Sequence, residues 1–190
     1  MLIYGWLILA FWLIVVATWV ATASRGSHAR NARRIWRREI ALRLAIFAIV
    51  VITLHYFRHT ARELRDHAIN RSTIAGLAGA ALCALGAGLA VAARLYLGRS
   101  WGMPMTRKEN PVLVTAGPYA TARHPIYGGL LLAMVGSAIG QSIFWLLPLV
   151  LLGPYFIYSA RREEKFLTAR FPQRYSAYVK QTKMLLPWLL

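Results

Sequence analysis

The sequence predicts an all-α, polytopic membrane protein with five transmembrane helices, the last two forming a helical hairpin. Of its 190 residues 58% are hydrophobic, and the mean hydropathy of +0.47 is well above that of a soluble domain. Four long apolar segments alternate with arginine-rich loops, and the last of them breaks at Gln141-Ser142, which divides it into two arms. Apolar segments of this length are typical of membrane-spanning helices. We therefore expect one membrane domain over residues 1–190.

Residues 1–95 are expected to form three passes. The first runs from Leu2 to Ala23 without a charge, enough to cross ~30 Å of hydrocarbon at ~1.5 Å per residue. The second runs from Ile40 to about Phe57, and the third from Ser72 to about Leu95. Small residues recur every four positions on two faces of the third pass: Gly76, Ala80, Ala84, Gly88 and Ala92 on one, and Ala75, Gly79, Cys83 and Ala87 on the other. Such faces let helix backbones approach closely in lipid.

Residues 96–190 are expected to form a cofactor-binding loop, the helical hairpin and a cytoplasmic tail. The hairpin arms are Gly128–Gly140 and Ile143–Tyr158, each short for a full crossing, so they can be tilted, partly re-entrant or extended by flanking residues. Pro148, Gly153 and Pro154 are expected to interrupt the second arm. Either way, the chain returns to the side of the membrane that it left.

The net charge of +17 predicts contact with anionic membrane lipids, since basic loops collect at an anionic leaflet. No soluble basic domain is present to bind nucleic acid. The excess of Arg and Lys in the first loop and in the tail places both in the cytoplasm and the N-terminus outside. Arginine outnumbers lysine 19 to 4, which suggests a GC-rich genome and hence a bacterial inner membrane.

The single cysteine, Cys83, lies within an apolar segment, which excludes a disulfide framework and a cysteine-based metal site. His55, His59 and Glu63 are spaced to share one helix face, with Asp66 and His67 nearby, and such a group could hold a metal. A polar patch at the membrane interface explains the same residues. Because membrane di-iron enzymes use many more histidines than the five here, we expect no metal site.

The segment from Gly117 to Gly128 carries the candidate chemistry. Arg123 is a permanent cation with a planar fork suited to a carboxylate or phosphate, and His124 can both donate and accept a proton. Tyr119 and Tyr127 supply rings and hydroxyls. Pro118 and Pro125 restrict the backbone, whereas Gly117 and Gly128 allow a ligand to approach closely.

Glu163 and Glu164 follow the hairpin, just as the Arg-His segment precedes it. A hairpin that starts and stops on polar groups brings those groups together at one face of the membrane. A ligand with a carboxylate and cationic groups would meet Arg123 at one end and a glutamate at the other. The alternative is that Arg123 and one glutamate form an interfacial ion pair.

The pattern of these residues resembles the membrane-embedded methyltransferases of the isoprenylcysteine carboxyl methyltransferase and phospholipid methyltransferase group. The resemblance covers about residues 95–190 and rests on two ordered motifs. The first comprises Leu97-Gly98-Arg99-Ser100-Trp101, Leu113-Val114-Thr115-Ala116-Gly117-Pro118-Tyr119 and Arg123-His124-Pro125-Ile126-Tyr127-Gly128. The second comprises Glu163-Glu164-Lys165-Phe166-Leu167, then Phe171, Tyr175 and Tyr178, and the closing Leu186-Pro187. Gly128-Gly129 departs from the single glycine that is usual in the family.

By this resemblance the cofactor is S-adenosylmethionine, converted to S-adenosylhomocysteine. Its expected contacts are Tyr119, His124, Pro125, Tyr127, Gly128, Glu163 and Glu164. The chain lacks a Gly-x-Gly-x-x-Gly motif after a strand, which excludes the soluble doubly wound methyltransferase fold. The expected methyl acceptor is a lipid or a prenylated small molecule.

Methyl transfer from a sulfonium is an in-line displacement that needs alignment and exclusion of water. We expect Arg123 or Arg162 to orient an anionic acceptor, and Glu163 or Tyr127 to contact an amine. Membrane sterol reductases, which bind NADPH, share a similar Arg-His-x-x-Tyr element but usually continue Gly-Asp. A non-catalytic basic membrane scaffold is the other alternative, and it predicts no cofactor affinity.

Overall fold

A computed structural model describes residues 3–22, 72–98 and 113–186 of the chain. Within them the regular structure is helical, with one isolated bridge between Ala122 and Lys183. The helices are α1 (Ile3–Thr22), α2 (Thr73–Leu97), α3 (Pro125–Gly140), α4 (Leu146–Arg170) and α5 (Pro172–Gln181), with short 3-10 turns at Gly117–Ala120 and Ile143–Trp145. The predicted second pass, residues 40–57, lies outside the described residues.

Three of the described helical segments are long and apolar enough to cross a membrane: Ile3–Thr22, Thr73–Leu97 and Ile143–Arg170. Helix α3 is apolar but has only 16 residues. The all-helical class and the membrane-spanning character are therefore confirmed for the described part of the chain. The count of five passes and the hairpin of two passes stay predictions.

The predicted interruptions of the second hairpin arm were wrong, and its helix extends into the flanking residues, which was one of the alternatives. Helix α4 continues from the predicted end at Tyr158 to Arg170 and runs through Pro154, while Pro148 lies in its first turn, where no intrahelical N–H bond is lost. The charged residues after Tyr158 end the apolar phase, yet Ala, Arg, Glu, Lys and Leu are all strong helix formers. The change in polarity marked the edge of the apolar region and not the end of the helix.

Helices α2 and α3 pack with their backbones in close contact. A Cβ added at Gly129 would lie 2.6 Å from the carbonyl oxygen of Gly86, and one added at Gly136 would lie 2.7 Å from that of Gly79 and closer still to the amide of Cys83. Of the two predicted small faces, the one with Gly79 and Cys83 lies on this interface. Gly88, on the other face, has no atom within 4 Å of the position a Cβ would take.

Helix α1 is attached to this pair near both of its ends. The Tyr4 ring lies over Gly76, and Ile8 is fully buried. Midway, Trp12 Nε1 donates to Ser137 Oγ at 3.0 Å. At the other end the guanidinium of Arg94, fully buried on α2, donates to the carbonyl of Thr22 at 2.8 Å. The C-terminal ends of α1 and α2 are thereby fixed at one level, the level at which the polar loop begins.

Candidate functional site

The chain enters the site through the 3-10 turn Gly117–Ala120. Gly117 has a φ of 61°, and a Cβ there would lie 2.6 Å from the ring of Tyr96. A side chain at this position would therefore face both backbone strain and a steric clash. Tyr119 is buried, and its hydroxyl donates to the carbonyl of Ala93 on α2 at 3.4 Å. The turn thus anchors the start of the motif on α2.

Residues 182–185, which we call the C-terminal strap, run alongside the motif. The amides of Arg123 and His124 donate to the carbonyls of Lys183 and Met184, each at 2.8 Å. A Cβ at Gly128 would overlap the carbonyl oxygen of Leu185. The close approach that glycine permits at Gly128 is therefore used by the chain's own backbone.

Arg123 joins three segments of the chain. Its Nε lies 2.6 Å from Glu164 Oε1 on α4, and its Nη1 donates to the carbonyls of Thr182 at 2.5 Å and Val179 at 3.5 Å. These carbonyls stand at the C-terminal end of α5, where helical carbonyls lack partners within the helix. The ion pair between Arg123 and a glutamate, one of the two interpretations of the sequence, is thus present, and Arg123 also caps α5.

His124 lies between the two glutamates. Its Nδ1 is 3.7 Å from Glu163 Oε2 and its Nε2 is 3.3 Å from Glu164 Oε1. The imidazole is buried, and Nε2 makes no well-aligned hydrogen bond in spite of its short distance to the carboxylate. Glu163 is the more open of the two glutamates, with 41% of its side chain exposed against 20% for Glu164. A buried imidazole nitrogen and a half-exposed carboxylate therefore lie side by side.

Three rings stack in sequence beside this cluster. The His124 and Tyr127 rings are 5.7 Å apart at an angle of 13°, and the Tyr127 and Phe156 rings are 4.9 Å apart at 9°. Phe156 stands on α4 two helical turns before Glu163, so both side chains point to the same side of that helix. The sequence analysis missed Phe156; its spacing of seven residues from Glu163 is the signal that could have found it.

Two buried tyrosines of α5 close the site from the side of the tail. Tyr178 Oη donates to the carbonyl of Tyr119 at 2.5 Å, and the rings of Tyr175 and Tyr178 are 6.0 Å apart. Burial raises the pKa of Tyr178 to about 12, and it also raises the pKa of Tyr119 and Tyr175. All three phenols therefore keep their protons at neutral pH, where Tyr119 and Tyr178 act as hydrogen-bond donors.

The model of the phospholipid methyltransferase family matches residues 74–174, more than half of the chain. This range includes α3, α4, all but the first residue of α2, and both halves of the charged cluster. The chain belongs to the phospholipid methyltransferase family. The resemblance inferred from the two motifs is thereby confirmed.

Two known proteins are similar to this chain. The cobalt-zinc-cadmium resistance protein CzcN of Cupriavidus metallidurans is 31% identical over 107 residues, which are 55% of this chain and 47% of that protein. The structure of a eukaryotic intramembrane Ras methyltransferase, isoprenylcysteine carboxyl methyltransferase, matches with a TM-score of 0.53 and 21% identity, over 80% of this chain and 53% of that one. The second likeness shows a shared fold. This chain spans about half the length of both proteins.

The structure brings together most of the residues predicted for the site. Arg123, His124, Glu163 and Glu164 form one cluster, with Tyr127 stacked on His124 and Tyr119 bonded to Tyr178. Three others lie apart from the cluster. Pro125 is fully buried at the start of α3, Gly128 faces Leu185, and Arg162 is exposed with its guanidinium beside Tyr158, 3.5 Å from the hydroxyl.

Within the described residues no three His, Cys, Asp or Glu are grouped to hold a metal. His55, His59, Glu63, Asp66 and His67 lie outside them.

Proposed function

We propose that this protein is an integral membrane methyltransferase that uses S-adenosylmethionine to methylate a lipid or a lipid-linked acceptor, in the manner of isoprenylcysteine carboxyl methyltransferases. One observation carries the proposal. In this chain, which belongs to the phospholipid methyltransferase family, the imidazole of His124 lies 3.7 Å from Glu163 and 3.3 Å from Glu164. About forty residues separate the two motifs in sequence, so the fold brings them together.

The chemistry of the cluster fits S-adenosylmethionine. The cofactor carries a carboxylate, an amine and ribose hydroxyls, so it needs both hydrogen-bond donors and carboxylate acceptors. His124 Nε2 is a buried polar atom without a well-aligned partner, which costs stability unless a ligand completes it. Glu163 is a carboxylate with exposed surface. The stacked rings of Tyr127 and Phe156 supply an aromatic wall for a nucleobase.

The residues divide into two roles. His124 and Glu163 are proposed to contact the cofactor, with Tyr127 lining its pocket. Arg123 and Glu164 already form an ion pair with each other, and Arg123 also donates to a carbonyl at the end of α5. Because these groups are occupied within the protein, the two residues are proposed to position His124. Tyr119, Pro125 and Gly128 are proposed to shape the backbone around this pair rather than to touch the ligand.

The bound cofactor would supply a methyl group already activated on a sulfonium, so the protein needs to align and dehydrate the reactants. The acceptor oxygen or nitrogen would attack in line with the breaking carbon–sulfur bond. Arg162 is proposed to orient an anionic acceptor, because it is exposed and immediately precedes Glu163 on α4, and its guanidinium lies beside Tyr158. If the acceptor is an amine, Glu163 or Tyr127 is the expected contact.

A methyl-transfer assay with labelled S-adenosylmethionine tests the function. The full chain would be reconstituted with a panel of phospholipids, prenylated cysteines and quinone-like acceptors, and label in the lipid fraction would be counted. We expect at least one acceptor to be methylated, and Glu163→Gln to abolish the transfer. Binding of NADPH but not S-adenosylmethionine would favour a reductase instead, and binding of neither would favour a scaffold.

A further inference from the structure

The charged surface of the C-terminal half has one sign. Residues 113–186 contain only two acidic residues, Glu163 and Glu164, and both belong to the cluster around His124. The most exposed charged residues of this segment are all cations: Arg161, Arg162, Lys165, Arg170, Arg174, Lys180 and Lys183. Since the two glutamates of the segment face the His124 cluster, these seven cations are in excess and form a surface suited to an anionic partner.

Five of these cations, among them Arg162, stand near the level at which α3 enters the apolar region. Lys183 belongs to the strap, which pairs with Ala122 just before α3, and Lys180 precedes it in the last turn of α5. Arg161 and Lys165 lie within two residues of the glutamates that meet Arg123 and His124 at the same level. Arg162, which lies between Arg161 and Glu163, is set apart because it is assigned to the acceptor. We call the other four residues the boundary cations.

Two other exposed cations lie farther out. Arg170 follows Glu164 by six residues on α4, about 9 Å along the helix axis, and Arg174 lies just beyond the turn at Phe171. Because the Debye length is ~8 Å in physiological salt, charges at that distance are largely screened from the membrane plane. Variants of Arg170 and Arg174 can therefore serve as controls for variants of the boundary cations.

We propose that the boundary cations dock the C-terminal strap and the end of α5 onto the headgroups of acidic phospholipids. Because this level is where the apolar helix α3 begins, an acidic lipid surface is the partner that fits both the position and the charge. Each basic residue near an anionic leaflet contributes on the order of a fivefold change in affinity. The inference does not depend on methyl transfer, because it concerns the surface outside the site.

Docking at this surface would act on the site through the backbone. The carbonyl of Lys183 accepts from the amide of Arg123, and the carbonyl of Val179, next to Lys180, faces the Arg123 guanidinium. Acidic lipid that holds Lys180 and Lys183 would therefore hold the strap against the motif. The site would be better ordered in an acidic membrane than in a neutral one.

The test uses an environment-sensitive fluorophore at Gln181→Cys, an exposed position beside Lys180. Cys83 is buried, so the label goes to the new thiol. The full chain is placed in nanodiscs of phosphatidylcholine with increasing phosphatidylglycerol. We expect a blue shift that grows with phosphatidylglycerol and is reversed by high salt. Lys180→Gln with Lys183→Gln should raise the half-maximal phosphatidylglycerol fraction at least fivefold or abolish the shift.

The matched control is Arg170→Gln with Arg174→Gln, which removes the same charge farther from the membrane. This pair should leave the half-maximal fraction within twofold of the parent. Absence of a blue shift in the parent overturns the inference and identifies a solvated surface. Equal losses in the two double variants overturn it as well, because net charge and not position would then explain the binding.

Discussion

Arg123 holds three parts of the chain together through one guanidinium. It pairs with Glu164 on α4 and donates to two carbonyls at the end of α5, while its own amide bonds to the strap. Only 12% of its side chain is exposed. The planar fork that suits arginine to a ligand carboxylate is here directed at a carboxylate and carbonyls of the protein. These contacts support the proposal that Arg123 positions His124, its neighbour in sequence, rather than binding a ligand.

A double-mutant cycle over Arg123→Ala and Glu164→Ala tests this role. We expect each single change to lower the free energy of unfolding, since each leaves a partly buried charge without its partner. The two changes together should cost less than their sum, with a coupling of ~1–3 kcal/mol, measured by denaturant unfolding in detergent. Additive losses would show that the pair contributes no coupling and would remove Arg123 from its positioning role.

Among the elements, the α2–α3 pair is the rigid support of the site. Glycines on both helices bring the two backbones into contact, and α3 begins at Pro125, directly after His124. The orientation of the imidazole therefore depends on how closely α3 packs against α2. In lipid such packing depends on shape complementarity, because the surrounding acyl chains are as apolar as the helices.

Gly136→Ala is expected to destabilise the protein by ~1–3 kcal/mol, because the added methyl group meets backbone atoms of Gly79 and Cys83. Gly88→Ala is the matched control, since the same methyl group on α2 points into open space. The control should leave stability unchanged or slightly higher. The measurement is thermal unfolding of both variants in the same detergent, and equal effects would contradict the packing described here.

The sequence predicted the apolar helices and the residues of the cluster, because hydropathy and the two motifs are local signals. It did not predict that α4 continues to Arg170, since hydropathy reports the membrane edge and not the end of a helix. The sequence also could not predict which groups Arg123 and Gly128 contact. Both depend on the strap, which returns from about sixty residues away and presents backbone carbonyls that no side-chain pattern reveals.

For the whole molecule, the cluster lies where α4 leaves the apolar region and where the loop enters α3. We propose a single membrane domain with the N-terminus outside and the cluster and tail in the cytoplasm of a bacterial inner membrane. The support is the bias of Arg and Lys toward the tail side, where residues 161–183 carry seven cations against two glutamates. An even number of passes would place the N-terminus and the tail on the same side.

Reporter fusions at the two ends of the full chain test this topology. A fusion of alkaline phosphatase, which is active only outside the cytoplasm, should be active at the N-terminus and inactive after Leu190. A fluorescent protein that folds only in the cytoplasm should give the reverse result. Two ends on the same side would contradict the odd number of passes, and exchanged signals would contradict the orientation.

The most direct measurement is calorimetric titration of the purified full chain with S-adenosylhomocysteine, the stable product of the proposed reaction. We predict binding by the parent, a loss of at least about tenfold in affinity for His124→Ala and for Glu163→Gln, and no change for the exposed control Ser176→Ala. A parent that binds no S-adenosylhomocysteine, or variants at His124 and Glu163 that bind it as tightly as the parent, would contradict the assignment of this cluster as the cofactor site.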